Sequence, residues 1–216
     1  MRDKKFFNSP ATSHQSPATN NMTDFNEAAQ GYENWYFTER GRLLTDMEKK
    51  ALNDFIDPHK GEKLLDIGCG TGFFSIYFKE LGIDVTGVDI SPKMLEIAKS
   101  KDAKVDFISA DAHNLPFPDG SFDVSTLITT IEFCENPEKV LQEASRVTKK
   151  RIVLGVLNKL SLLSIERRFK RKSIYKNAVF YTPWGVRKLI KRALGDKVKI
   201  EIKIPFCAFM AVSIEK

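Results

Sequence analysis

The chain has 216 residues, 42% of them hydrophobic and 29% charged, which is enough apolar material for one sizeable core in water. Its formal charge of +6 is unevenly placed: residues 1–148 hold 16 basic and 24 acidic side chains, whereas residues 149–216 hold 18 and 4. The lack of a long apolar run, of an apolar signal core after Met1, of a CxxC pair among Cys69, Cys134 and Cys207, and of ligand spacing among His14, His59 and His113 argues against a membrane span, export, a disulfide scaffold and a metal centre, so a cytoplasmic protein is expected.

Along the chain, residues 1–23 include a Ser, Thr, Asn, Gln, Pro and Ala run too poor in large apolar groups to repay ordering, and are expected to form a disordered tail. One domain is expected over residues 24–216, starting where Phe25, Tyr32, Trp35, Tyr36 and Phe37 crowd together. The spacing of Leu43, Leu44, Met47, Ala51, Leu52 and Phe55 predicts an amphipathic helix over Glu39 to Phe55. Beyond Gly61, short β-type runs alternate with helical periods, the pattern of βαβ units around a parallel sheet. Strands are predicted at Lys63 to Ile67, Val85 to Val88, Val105 to Ser109, Phe122 to Ile128 and Arg151 to Leu157. Helices are predicted at Gly72 to Leu81, after Ser91-Pro92, at Pro137 to Thr148, and from Thr182-Pro183 to Leu194. Val198 to Ile204 and Phe209 to Ile214 alternate with period two and predict an antiparallel hairpin.

The stretch Asp66-Ile67-Gly68-Cys69-Gly70-Thr71-Gly72 puts three glycines between a buried strand and a helix start, where the backbone can turn sharply beside a ligand. A dinucleotide fingerprint would place its third glycine three positions after Gly70, where Phe73 stands, so a nucleoside ligand without bridging phosphates fits better. Asp89 ends the second strand near the position at which an acidic residue accepts from ribose hydroxyls, and Ser91 is the expected helix cap beside it. Asp111 leaves the third strand and leads into a proline-rich turn.

These blocks, with Val88-Asp89-Ile90-Ser91, Asp111-Ala112 and Leu115-Pro116-Phe117, resemble the small-molecule branch of the class I S-adenosylmethionine-dependent methyltransferases over about Glu62 to Lys150. The resemblance implies a Rossmann-like α/β fold: seven strands in the order 3-2-1-4-5-7-6, the last antiparallel, with helices on both faces. It implies S-adenosylmethionine as cofactor. Gly68, Gly70 and Gly72 would wrap its methionine part, with Cys69 touching it through its backbone and Asp66 helping to hold its ammonium. Asp89 would take the ribose hydroxyls, Ile90 and Met94 would lie against adenine, Asp111 would accept from the adenine amine, and the Ala112 backbone would meet the ring edge. Thr129 would border the sulfonium.

Methyl transfer from a sulfonium needs alignment and dryness more than a dedicated catalytic group. Glu132 is the weak acidic candidate, with a helix-entry or solvated carboxylate as the bland reading, and His113 is expected to lie away from the methyl group. Tyr32 and Trp35 could form an aromatic lid over the cation or simply staple the first helix to the core. A basic insertion at about 158–181 has three readings: a solvated surface helix, a clamp for an anionic small molecule or a membrane-surface substrate, and a nucleic-acid contact. The expected activity is methyl transfer to a small-molecule acceptor. The alternatives are a non-catalytic S-adenosylmethionine-binding regulator, an RNA methyltransferase using the basic last third and, more distantly, a dehydrogenase.

Overall fold

The computed structural model describes residues 25, 26, 29, 31, 33–57, 59, 61–101, 104–161, 175, 178–206 and 208–216. The expected tail over 1–23, Tyr32, and most of the basic insertion lie outside these residues. In chain order the elements are α1 (Glu39–Ile56), β1 (Lys63–Ile67), α2 (Phe73–Glu80), β2 (Asp84–Asp89), α3 (Pro92–Ser100), β3 (Asp106–Ser109) and β4 (Phe122–Ile128). They continue with α4 (Pro137–Val147), β5 (Thr148–Leu157), α5 (Pro183–Leu194), β6 (Lys199–Phe206) and β7 (Phe209–Glu215).

The seven strands form one sheet in the order β3-β2-β1-β4-β5-β7-β6. The pairs β1–β2, β1–β4, β2–β3 and β4–β5 are parallel, and β7 runs antiparallel to both β5 and β6. Alternation along the strands divides the core. Leu65, Ile152, Leu154, Met210 and Val212 face a cluster completed by Val140, Leu141 and Ala144 of α4 and by Val186, Leu189 and Ile190 of α5. Leu64, Val153, Phe209 and Ala211 face the opposite cluster, with Leu52 and Phe55 of α1 and Phe74 and Phe78 of α2. Period-two side-chain direction is what lets one buried strand supply both layers.

Two departures from expectation have a physical reason. β5 begins at Thr148, with no loop after α4, because Thr148 Oγ1 both donates to the Ala144 carbonyl and bonds Ser125 Oγ across to β4. Leu43 is 63% exposed, since the buried stripe of α1 runs through Thr45, Glu48, Leu52 and Phe55.

The loop from β3 to β4 is held from α4. Arg146 donates to the carbonyls of Leu115 and Phe117 and pairs with Asp119 and Glu143, while Glu143 accepts from the Leu115 N–H. The hydrogen bond from Arg146 holds the buried Glu143 carboxyl down at about 2 against an ordinary 4.5. A depressed carboxyl pKa gives stability that is complete above the ordinary value and is lost as pH falls through the lowered one. Arg146→Met is therefore expected to cost about 2–3 kcal/mol at pH 7, and clearly less at pH 3, in urea denaturation.

Candidate active site

The C-terminal edges of β1, β2, β3 and β4 surround a cavity, as open parallel sheets arrange their ligand crevices. Its lining includes Asp66, Gly68, Cys69, Gly70 and Thr71 from the end of β1 and the loop after it, and Val88, Asp89, Ile90 and Met94 around the end of β2. Ala110, Asp111, Ala112 and His113 line it after β3, and Ile128, Thr129, Thr130, Phe133, Cys134 and Glu135 after β4. The described lining contains four carboxylates and no Lys or Arg.

The glycine loop uses much of its own hydrogen-bonding capacity. The N–H groups of Gly68 and Cys69 both donate to the Val88 carbonyl, at 2.8 and 3.0 Å, and the Gly72 N–H donates to the Cys69 carbonyl at 2.9 Å. The Gly70 N–H donates to Asp89 Oδ2 at 2.8 Å. Donors that would meet a pyrophosphate in a dinucleotide site are thus bound to the protein itself, which gives the expectation of a phosphate-free nucleoside ligand a structural reason.

The three glycines divide their work. A Cβ on Gly70, whose φ is +54°, would meet nothing within 4 Å and would enter open space. At Gly72, with φ +78° at the N-cap of α2, a Cβ would lie 2.6 Å from the Phe107 ring and 3.1 Å from Ala98 Cβ. Gly72 is not among the lining residues, and it packs the loop against α3 and β3. Gly72→Ala is expected to lower Tm by about 5–10 °C through strain and overpacking. Gly70→Ala is expected to lower Tm by only about 2–4 °C but to weaken ligand binding about tenfold; thermal unfolding with and without ligand separates the two.

Asp89 is clamped by the loop and the next helix: Oδ2 accepts from Gly70 and Oδ1 from the Ser91 N–H, also at 2.8 Å. Burial raises its pKa, opposed by these backbone hydrogen bonds. Each oxygen keeps a lone pair, so the carboxylate can accept two further hydroxyl donors side by side. Ser91 Oγ accepts from the Met94 N–H, which makes it the expected cap and leaves Asp89 free of that duty.

Asp66 is deeper, 2% exposed, and accepts from Ser75 Oγ at 2.6 Å and Thr126 Oγ1 at 2.8 Å. Burial lifts its pKa to about 6, against these two hydrogen bonds and with the Asp89 charge adding to the rise. Asp111 is more open. Burial pushes its pKa up, but the His113 N–H and imidazole, with Nδ1 2.7 Å from Oδ1, bring it below the ordinary carboxylate value. His113 Nε2 is sealed from solvent. Thr129 lines the cavity with a φ of +51°, a strained backbone for a β-branched residue. Burial pushes the Cys69 thiol well up, which keeps it protonated at neutral pH.

Several expected contributors stand elsewhere. Glu132 is 1% exposed and is not among the lining residues; its Oε1 accepts from the Leu157 N–H at 2.7 Å, joining the turn after β4 to β5. Trp35 is also not among them, packing edge-on against Tyr36 with centroids 5.3 Å apart. The aromatic wall is instead Phe25, Tyr36, Phe73, Phe74 and Phe133. Tyr36 stacks on Phe73 at 4.0 Å and 6°, and Phe25 meets Phe133 edge-on at 4.9 Å. Residues 33–36 are helical, and neighbours on a helix face different directions, so Trp35 and Tyr36 do not share a face. Among the described residues, no cluster of His, Cys, Asp and Glu could hold a metal ion.

Residues 65–154 match the family model described as a methyltransferase domain. Over 216 aligned positions, covering 90% of this chain and 100% of the other, the protein is 34% identical to an uncharacterized protein of Methanocaldococcus jannaschii. A demethylmenaquinone methyltransferase of Paenarthrobacter aurescens is 41% identical over 47% of this chain, and a malonyl-[acyl-carrier protein] O-methyltransferase of Serratia marcescens 37% identical over 58%. The match spans 40% and 47% of those two proteins, less than half of each. Among solved structures, a Thermotoga maritima S-adenosylmethionine-dependent methyltransferase, described as a possible histamine N-methyltransferase, superposes with a TM-score of 0.75 at 29% identity, covering 91% of this chain and 99% of that one.

Proposed function

Because the chain belongs to the class I S-adenosylmethionine-dependent methyltransferases, we propose that it transfers a methyl group to a small organic acceptor by in-line displacement within the cavity described above. The cofactor supplies a methyl group already attached to an excellent leaving group, a sulfonium. The observation that carries the reading is the Asp89 carboxylate, locked by Gly70 and Ser91 beside a glycine loop whose N–H groups are bound to the protein. That arrangement suits paired ribose hydroxyls and not a pyrophosphate.

The remaining roles are part of the same proposal. Asp66 offers a buried negative charge to the ammonium of the methionine moiety, and the open face of Gly70 leaves room for that moiety. Ile90 and Met94 contact adenine from one side, and Asp111 and Ala112 from its edge. Thr129 and the aromatic wall border the sulfonium, where ring faces favour a cation and keep out water. No side chain is assigned as general base. Glu132 is committed to Leu157, and the His113 imidazole is tied to Asp111 on one nitrogen and sealed on the other. Chemistry by alignment alone is sufficient for an acceptor that is already nucleophilic.

Two relatives matched over less than half of their length are named for demethylmenaquinone and malonyl-[acyl-carrier protein], which supports an organic acceptor. Incubation with methyl-labelled S-adenosylmethionine and, separately, a metabolite extract, a lipid extract and total RNA tests the proposal. Label in either of the first two pools is the expected result. Label in RNA alone, or cofactor binding with no transfer to any pool, would overturn it.

A further inference from the structure

The positive charge of the last third finds no place in the described cavity, but one helix carries part of it on a single outward stripe. In α5 the residues Val186, Leu189 and Ile190 are buried against the core, and Trp184, Arg187, Lys188 and Lys191 are exposed. Those four stand at positions i, i+3, i+4 and i+7, which share one side of a helix. Nothing between Pro183 and Leu194 is acidic. Trp184 is 71% exposed, and its ring is covered only on one side by Lys188, whose ammonium lies 5.1 Å from the ring centre.

The tryptophan end of this stripe adjoins more exposed apolar surface. Asn158 bridges to Tyr181, and the Lys159 N–H donates to the Tyr181 carbonyl at 2.8 Å. This places exposed Lys159 and Leu160 beside the start of α5, and Leu160 is 72% exposed. Val179, two residues before Tyr181, is 53% exposed, and its N–H donates to the Glu132 carbonyl in the turn that carries the cavity residue Phe133. Lys191 is paired with Asp196 at 2.8 Å, which leaves Lys159, Arg187 and Lys188 as the cations beside the exposed aliphatic and indole groups. Such groups left in water next to cations, at the same sheet edge as the cavity mouth, are the ingredients of an interfacial docking face.

We propose that Leu160, Val179 and Trp184, with Lys159, Arg187 and Lys188, dock this protein on an anionic lipid surface. The partner is chosen by charge and polarity together. The cations complement lipid phosphates, and the exposed leucine, valine and indole gain from entering the headgroup region, a gain that a nucleic-acid backbone does not offer. Resting on the methyltransferase reading, the docking face turns the cavity edge toward the membrane, so that a lipid-dissolved acceptor reaches it without crossing water.

Co-sedimentation of the full chain with phosphatidylcholine vesicles, made with and without phosphatidylglycerol, tests the proposal. Binding is expected only to the anionic vesicles and is expected to weaken as salt rises. Arg187→Glu with Lys188→Glu should weaken vesicle binding about tenfold or more, and Trp184→Ala with Leu160→Ser about fivefold. Calorimetric S-adenosylmethionine binding should be unchanged in both double variants, which shows that each has folded. Equal binding to both kinds of vesicle, no binding to either, or displacement of total RNA in preference to vesicles overturns the docking face. Loss of S-adenosylmethionine binding by the unmodified protein overturns only the methyltransferase reading.

Discussion

Asp89→Ala is expected to weaken S-adenosylmethionine binding about 100-fold while the fold survives. Two effects combine in that number. The carboxylate would lose its charge-assisted hydrogen bonds to the ribose hydroxyls, each of which contributes on the order of 1.5–3 kcal/mol when made by an ionised acceptor. It would also release the Gly70 and Ser91 N–H groups that it now fixes at 2.8 Å, so the glycine loop and the start of α3 lose their common tie. The second effect predicts a modest loss of stability of about 1–2 kcal/mol, since Ser91 Oγ still caps α3 through the Met94 N–H. Asp89→Asn separates the two. One amide oxygen still accepts from a backbone N–H, so Tm should recover most of the way, while paired acceptance from two hydroxyls is lost and binding should stay at least about tenfold weak. Calorimetric titration with thermal unfolding on the same preparations reads both quantities. Affinity within about twofold of the unmodified protein in the alanine variant would remove Asp89 from the site.

The second large effect is on pH. Asp66 has its pKa raised to about 6, chiefly by burial, so it is mostly ionised at pH 7.5 and mostly protonated at pH 5. A raised carboxyl pKa favours the folded chain in acid: that contribution is largest below the ordinary 3.8 and is lost as pH rises through about 6. Ligand binding runs the other way, because an ammonium is attracted only by the ionised form. S-adenosylmethionine affinity is therefore expected to be flat above about pH 7 and to fall about tenfold per unit below pH 6. Binding at pH 6 should release about half a proton, so the apparent enthalpy should change with the ionisation enthalpy of the buffer. Asp66→Asn should flatten the profile at its weak, acidic level. A profile that stays flat from pH 7.5 to 5 in the unmodified protein would remove Asp66 from the ammonium.

The sheet was legible in the sequence because its strands are apolar runs bounded by turn formers. β1 and β4 begin and end at the predicted residues, and the terminal hairpin emerges as β6 and β7 in the order that the resemblance implied. β5 was read three residues short, since Lys149 and Lys150 look unlike strand residues although both lie on it. Lys150 keeps its ammonium in water and bonds Glu62 at 2.7 Å, so the charge costs the strand little. Of the residues that the resemblance implied, Asp66, Gly68, Cys69, Gly70, Asp89, Ile90, Met94, Asp111, Ala112 and Thr129 all line the cavity, and Gly72 does not. Where a contribution depends on side-chain direction, the sequence is a poorer guide. Trp35 and Tyr36 exchange places within one helical step, and Phe73, read only as an obstacle to a pyrophosphate, forms part of the aromatic wall. Glu132 carries the chemistry of a base in composition but points to Leu157, a partner 25 positions away that sequence spacing does not reveal.

The claim on which the rest depends is that the cavity takes a nucleoside sulfonium and not a dinucleotide. Isothermal titration of the unmodified protein with S-adenosylmethionine and, separately, with a nicotinamide dinucleotide decides it. One site for S-adenosylmethionine, with no heat from the dinucleotide, is the predicted result, whereas binding of the dinucleotide with no S-adenosylmethionine binding would contradict the account.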